Sequence, residues 1–300
     1  MRARHLPCRI VTVLLLAGAM LPPAAARDIQ VPDPFAQPAA PPAAPRVIIL
    51  PGPPPAGANA AVSVPADLLA KARADDVDAQ VKLGIFYARA KPPNYQEALK
   101  WFRQASDRGS AAGAANVGQI YAAGDGVAKD PSEAAKWYRL GADRGDGTAQ
   151  TKLGQLYEQG LGMPQDFAEA VKWYRAAVDQ KNAAGLTSLG SMYVRGRGVA
   201  ADQAEATRLF RLAADQGWAL AQANLGMQYL AGRGTAQNNS AGYFWLDLAA
   251  AKLSPDMKVL RDKVAHARDD AAAKLAPLEL ARVQRLAAAW KPGGAEVPAD

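Results

Sequence analysis

The sequence predicts an all-α fold: an α/α superhelical solenoid of about five repeats, with one capping helix ahead of the array and two behind it. Three observations carry this. A Gly and a Tyr recur three residues apart, at Gly84/Tyr87, Gly118/Tyr121, Gly154/Tyr157, Gly190/Tyr193 and Gly226/Tyr229, with successive glycines 34, 36, 36 and 36 residues apart. Seventeen residues after the first Gly, and nineteen after each of the others, stands a bulky anchor: Trp101, Trp137, Trp173, Leu209 and Trp245. Each anchor is followed directly by Phe102, Tyr138, Tyr174, Phe210 or Leu246. Self-similarity at this period means stacked supersecondary units, none able to bury its apolar face alone, so the chain grows in one dimension.

Ahead of the array lie two segments of different character. Residues 1–26 carry Arg2, Arg4 and Arg9, an apolar run from Ile10 to Leu21, then Pro22-Pro23 and Ala24-Ala25-Ala26. This is the pattern of a secretory signal cut after Ala26. The apolar run is shorter than the roughly 17 to 25 residues that a bilayer-spanning helix needs. The single cysteine, Cys8, precedes that run, so the mature chain is expected to form no disulfide and to rely on packing. Removing residues 1–26 takes away three Arg and no acid, lowering the net charge from +7 to +4, a small excess that favours solubility over nucleic-acid binding. Residues 27–65 contain 11 Pro between Asp28 and Pro65 and only three charges after Arg27, Asp28, Asp33 and Arg46, and are expected to form a disordered or extended spacer. Within it, Val47-Ile48-Ile49-Leu50 is an apolar island suited to docking on a partner or on the protein's own groove.

The array is expected over residues 66–251, and Ala112 to Gly145 serves as its type unit. Gly113 or Ala114, Val117, Gly118 and Tyr121 fall at helical spacing, so the first helix buries a stripe whose central Gly lets another helix approach closely. Gly124-Asp125-Gly126-Val127 ends that helix in a tight reversal. Asp130-Pro131 starts the second, with Asp at N-cap, Pro at N1 and Glu133 in a capping-box position. Ala134, Trp137, Tyr138 and Gly141 then line one face of it, and the same set recurs in the other units, so the aromatic stripe is assigned to a layered core. Gly109, Gly145 and Gly217, with Lys181 in the third unit, close the repeats.

These residues carry a resemblance. The pattern A-x-x-x-L-G-x-x-Y-x-x-G-x-G-V-x-x-D-x-x-x-A-x-x-W-Y-x-x-A-A-x-x-G resembles the Sel1-like repeat, an α/α relative of the tetratricopeptide repeat. Leu153, Gly154, Tyr157, Gly160, Gly162, Asp166, Ala170, Trp173, Tyr174, Ala176 and Ala177 match it in register, and the resemblance covers about residues 78–251. The first unit departs from it, with Ala88-Arg89-Ala90-Lys91-Pro92-Pro93 in place of the Gly-x-Gly turn. The fourth has Leu209 for Trp, and the fifth has Thr235 and Asn238 for the turn Val and Asp. The departures in the terminal units read as caps. Ser63 to Ala74 is expected to form a capping helix. Residues 252–291 are expected to form two more, one from Ser254-Pro255 towards Lys274 and one from Pro277 to Trp290, touching the last repeat through Val259, Leu260, Val264, Leu278, Ala281, Leu286 and Trp290. Residues 292–300 are expected to be a disordered tail.

No phosphate loop, paired cysteine, zinc-type histidine pair, Gly-x-Ser-x-Gly elbow or Ser-x-x-Lys occurs in the sequence, so no cofactor, metal or catalytic residue is assigned. His266 and the acidic groups Asp75/Asp76/Asp78 and Asp269/Asp270 read as solvated. The more informative feature is a ladder. Two residues before each repeat Gly stand Lys82, Asn116, Lys152, Ser188 and Asn224, and one after it stand Ile85, Gln119, Gln155, Ser191 and Met227. At 100° per residue these two positions lie on one helix face, opposite the buried stripe, and are expected to face outward together. The polar members, Lys82, Asn116, Gln119, Lys152, Gln155, Ser188, Ser191 and Asn224, form the candidate partner-binding floor of a concave groove, suited to an extended backbone or a carboxylate.

The resemblance implies a non-catalytic adaptor: a periplasmic or secreted scaffold, with no nucleic-acid or stable membrane partner, that holds a protein of the cell envelope for signalling or assembly; the chain is expected to be a monomer. Two other classes stay open on sequence alone. One is an envelope enzyme or a cell-wall or β-lactam binder acting through carboxylates lining the groove; the other is a structural tether retained by its signal segment.

Overall fold

The computed structural model describes residues 63–294; the signal segment, the proline-rich segment up to residue 62 and the tail from residue 295 lie outside the described residues. Among the described residues the chain forms thirteen helices and no strand. A capping helix, α1 (Ala66–Arg73), precedes five antiparallel pairs: α2 (Val77–Arg89) with α3 (Tyr95–Asp107), α4 (Ala111–Ala123) with α5 (Pro131–Asp143), α6 (Gly147–Gln159) with α7 (Phe167–Asp179), α8 (Ala183–Arg195) with α9 (Gln203–Asp215), and α10 (Ala219–Ala231) with α11 (Asn239–Lys252). Two further helices, α12 (Lys258–Ala272) and α13 (Pro277–Ala289), close the array against α11. None of these helices is long and apolar enough to cross a membrane.

Four of the five pairs are held by a ring seated on a glycine, and the fifth by Leu246 in the same place. A Cβ built on Gly84, Gly118, Gly154 or Gly190 would lie 2.5, 2.8, 2.6 or 2.7 Å from an atom of the Phe102, Tyr138, Tyr174 or Phe210 ring; on Gly226 it would lie 2.7 Å from Leu246. The first helix can therefore carry no side chain there, which explains the period of the glycines. In the first three repeats the residue after the anchor is the better buried of the two, whereas in the last two both are fully buried. Trp137 corrects the expectation of a uniform Trp core, since it is only half-buried and its indole N–H donates to Glu133 Oε1 at 3.1 Å, while Tyr138 beside it is fully buried.

The turn chemistry follows the sequence closely. Gly124, Gly160, Gly196 and Gly232 end the first helices in the left-handed region, where a Cβ is costly. Asp130 caps α5, its carboxylate accepting from the backbone N–H of Ser132 and Glu133, each at 2.9 Å. The reciprocal half of the capping box is not formed. The N–H of Asp130 donates instead to the Tyr121 carbonyl at 2.9 Å, as those of Asp166, Asp202 and Asn238 do to Tyr157, Tyr193 and Tyr229, so Glu133 turns to Trp137 and Lys136.

Between repeats the second helix reaches forward. Arg103, Arg139 and Arg175 donate to the hydroxyls of Tyr121, Tyr157 and Tyr193 in the next unit, and Arg211 lies over the Tyr229 ring at 5.3 Å. Behind the array, α12 starts three residues later than expected, because Ser254-Pro255 forms a turn. Val264, Leu260, Leu286 and Trp290 pack as expected, but Val259 and Leu278 are exposed and do not. Trp290 meets the Trp245 ring edge-on at 5.8 Å and so covers the last anchor.

Candidate functional site: the inner face of the first helices

The first helices α4, α6, α8 and α10 also touch one another in succession, whereas the second helices of neighbouring repeats make no comparable contact. The first-helix row is therefore the tighter, concave side of the array. The structure places the eight polar ladder residues along this row on α2, α4, α6, α8 and α10.

Their exposure is uneven. Lys82 is exposed, and Gln119, Lys152, Gln155 and Asn224 are half-buried. Asn116, Ser188 and Ser191 are buried at 4%, 7% and 6% exposure, which corrects the expectation that all face outward together. The cause is the curvature: α4, α6 and α8 close on one another, and short side chains on their inner faces are covered. Two of the three bond to their own helix. Asn116 Nδ2 donates to the Ala112 carbonyl at 2.8 Å, and Ser191 Oγ to the Thr187 carbonyl at 3.1 Å. The apolar members Ile85 and Met227 bracket the polar stretch towards the two ends.

The centre of the floor also holds groups that the ladder spacing missed. Tyr138 donates its hydroxyl to Gln119 Oε1 at 3.2 Å, and Tyr174 donates to Glu158 Oε2 at 2.7 Å. Glu158 in turn pairs with Arg195 of the next repeat at 3.4 Å, both largely buried. Burial raises the pKa of the Tyr138 phenol well above the usual tyrosine range. Burial also raises Tyr174, reinforced by the Glu158 charge, with a hydrogen bond from Ser188 acting the other way. The signal for these groups was available: Glu158 lies three residues after Gln155 and Arg195 four after Ser191, so one more turn along the same face reaches both. Lys152 bonds Gln155 Oε1 at 3.3 Å, and burial lowers the pKa of its ammonium. Among the described residues no three His, Cys, Asp or Glu side chains cluster as metal ligands would, and His266 is exposed.

Such a floor offers the Gln119, Gln155 and Asn224 amides with the Lys82 and Lys152 ammonium groups, chemistry suited to an extended polar segment. Comparison with known proteins bears on the whole array. The Sel1 repeat matches five times without a gap, over residues 77–110, 111–146, 147–182, 183–218 and 219–252. Among solved structures, a Sel1 repeat protein from Oxalobacter formigenes is 30% identical, with a TM-score of 0.58 over 72% of this chain and 88% of that one. A protective antigen of uropathogenic Escherichia coli with an SLR fold is 27% identical, with a TM-score of 0.56 over 74% of this chain. The present chain spans 55% of that antigen's length. No curated protein matches the chain. Sel1 repeat proteins generally mediate protein–protein interaction and are generally non-catalytic scaffolds. With five consecutive matches spanning more than half of its residues, this chain belongs to the Sel1 repeat family.

Proposed function

We propose that the protein is a non-catalytic scaffold of the cell envelope, exported to the periplasm or beyond, that holds protein partners against the concave first-helix face. The observation that carries this reading is the polar floor itself. Of the inward-facing row, Lys82, Gln119, Lys152, Gln155 and Asn224 stay accessible and differ between repeats, while the core positions behind them stay nearly constant. Repeats that keep their packing residues and vary one inward-facing row have a common frame and a sequence-specific surface. Export rests on the signal pattern of residues 1–26.

The test is affinity capture by the full chain from envelope extract with in-place cross-linking, beside a Lys82→Glu/Lys152→Glu double variant of unchanged circular dichroism. A protein retained by the wild type and lost by the variant supports the groove. Equal retention by both removes it as the binding face. Mass spectrometry of the purified protein tests export separately, since an N-terminus at Arg27 is expected and an N-terminus at Met1 in the envelope fraction contradicts the cut.

A further inference from the structure

On the outer helices, three exposed cations are matched by acids. Lys136, Lys172 and Arg208 pair with Glu133, Glu169 and Glu205 at 2.9, 3.0 and 2.7 Å, and all three cations are exposed. The reverse holds at the centre of the groove. Lys152 is half-buried, has a single polar neighbour in Gln155 Oε1, and has no carboxylate partner among the described residues. Glu158, two turns further along α6, is already engaged by Arg195 and by the Tyr174 hydroxyl. A desolvated cation without a counter-charge is costly, and burial accordingly lowers the pKa of Lys152.

The neighbouring amides point to the same chemistry. Gln155 Oε1 accepts from Lys152, and Gln119 Oε1 accepts from Tyr138, so both side-chain carbonyl oxygens are occupied. Their Nε2 groups have no partner among the described residues, which leaves two amide donors and an ammonium on the adjoining helices α4 and α6. A floor with its acceptors taken and its donors open recognises an acceptor, and one carrying a positive charge recognises an anionic acceptor.

We propose that Lys152, with Gln119 and Gln155, forms a carboxylate-binding subsite for an extended segment of a protein partner. This rests on the protein-binding reading above. The carboxylate can come from an Asp or Glu side chain or from the partner's C-terminus, and the experiment separates these sources.

The full chain is immobilised and offered three mixtures of short randomised peptides: free-acid peptides without Asp or Glu, amidated peptides containing Asp and Glu, and amidated peptides with no carboxylate. Retention is compared for the wild type, Lys152→Met and the groove-blocking Gln155→Trp. We expect one carboxylate-bearing mixture to be retained about tenfold better than the carboxylate-free one, the order of a charge-assisted hydrogen bond, and this preference to vanish in Lys152→Met. Preference for the free acids assigns the terminus, and preference for the acidic amides assigns the side chain. Lys152→Met should melt no lower than the wild type, since it removes an unpaired charge; a clear loss of stability would make Lys152 a structural residue and overturn the subsite. Equal retention of all mixtures by wild type and Lys152→Met, lost in Gln155→Trp, overturns the subsite and leaves the groove standing. Retention unaffected by Gln155→Trp overturns both.

Discussion

Arg139 and Tyr157 join the second repeat to the third: the guanidinium donates to the phenol hydroxyl and lies 5.5 Å from the centre of its ring and 5.1 Å from that of Trp173. One side chain thus ties together a hydroxyl, two aromatic faces and the boundary between units. Arg139→Ala is expected to cost about 1 to 2 kcal/mol by urea denaturation, through the lost hydrogen bond and cation–π contacts. Arg139→Lys should recover only part of this, because an ammonium lacks the planar fork that stacks and donates together. A cost near zero for both would make the contact a passive surface feature.

Glycine at the repeat position is required by contact, and glycine at the repeat end by conformation. Gly154→Ala places a methyl 2.6 Å from a Tyr174 ring that is itself fully buried, and should destabilise by about 1 to 3 kcal/mol or more, as overpacking does. Gly109 has nothing within 4 Å of a built Cβ but holds φ at +93°, so Gly109→Ala should cost only the backbone strain, about 1 to 2 kcal/mol. Lys181 already occupies the matching place in the third repeat at φ +56°, which shows that the array tolerates that strain. Replacing Lys181 with Gly should therefore stabilise, and thermal melting of the three variants gives the ranking.

Truncation of the aromatic pair should separate its two members. Tyr138→Ala removes a fully buried ring seated on Gly118 and should cost about 3 to 5 kcal/mol. Trp137→Ala removes a half-buried ring bonded to Glu133 and should cost clearly less. Equal costs would place both rings in the core.

The contrast between these two residues shows how far the sequence could be read. The period and the buried stripe recur in all five units, the turn glycines in four and the N-cap Asp in three, so a single unit predicts most of the rest. Which of Trp137 and Tyr138 lies deeper depends on the angle at which the second helix meets Gly118, and no local spacing fixes that angle. The groove was legible as a row but not as a surface. Spacing put Asn116, Ser188 and Ser191 on the inner face of the first helices, and the closing of α4, α6 and α8 buried them there. Glu158 and Arg195 pair across 37 residues, which only the stacking of repeats brings together.

Stability should fall on the alkaline side, with a sign set by the buried phenols. Tyr138 and Tyr174 have folded pKa values raised above the unfolded one, so their contribution is fully present below the unfolded value of about 10 and is lost as pH rises above it. Lys152 acts in the opposite sense. Its folded pKa is lowered, so the penalty on its ammonium is relieved as pH rises towards the unfolded value of about 10.4. Urea midpoints measured between about pH 8 and 11 should therefore gain in wild type relative to Lys152→Met as pH rises towards about 10.4, with no further change in the difference above it. The fall should be blunted in Tyr138→Phe.

The array ends where the forward-reaching arginine is replaced. Arg103, Arg139, Arg175 and Arg211 recur at a 36-residue interval, and the next position holds Asp247. No further repeat tyrosine follows it; α12 supplies Arg268, whose guanidinium lies 3.6 Å from the Asp247 carboxylate. Among the described residues, the charge at this position of the fifth repeat is thus met by the capping helix. Asp247→Arg should weaken the seating of α12 by about 0.2 to 1 kcal/mol, the range for a partly exposed pair, with like charges adding to the loss. Arg268→Asp alone should do the same, and the double exchange should restore most of the stability, read as the coupling in a double-mutant cycle. Additive costs in the double variant would mean that the cap is held by Trp290 on Trp245 and the apolar contacts of Val264, with the charges incidental.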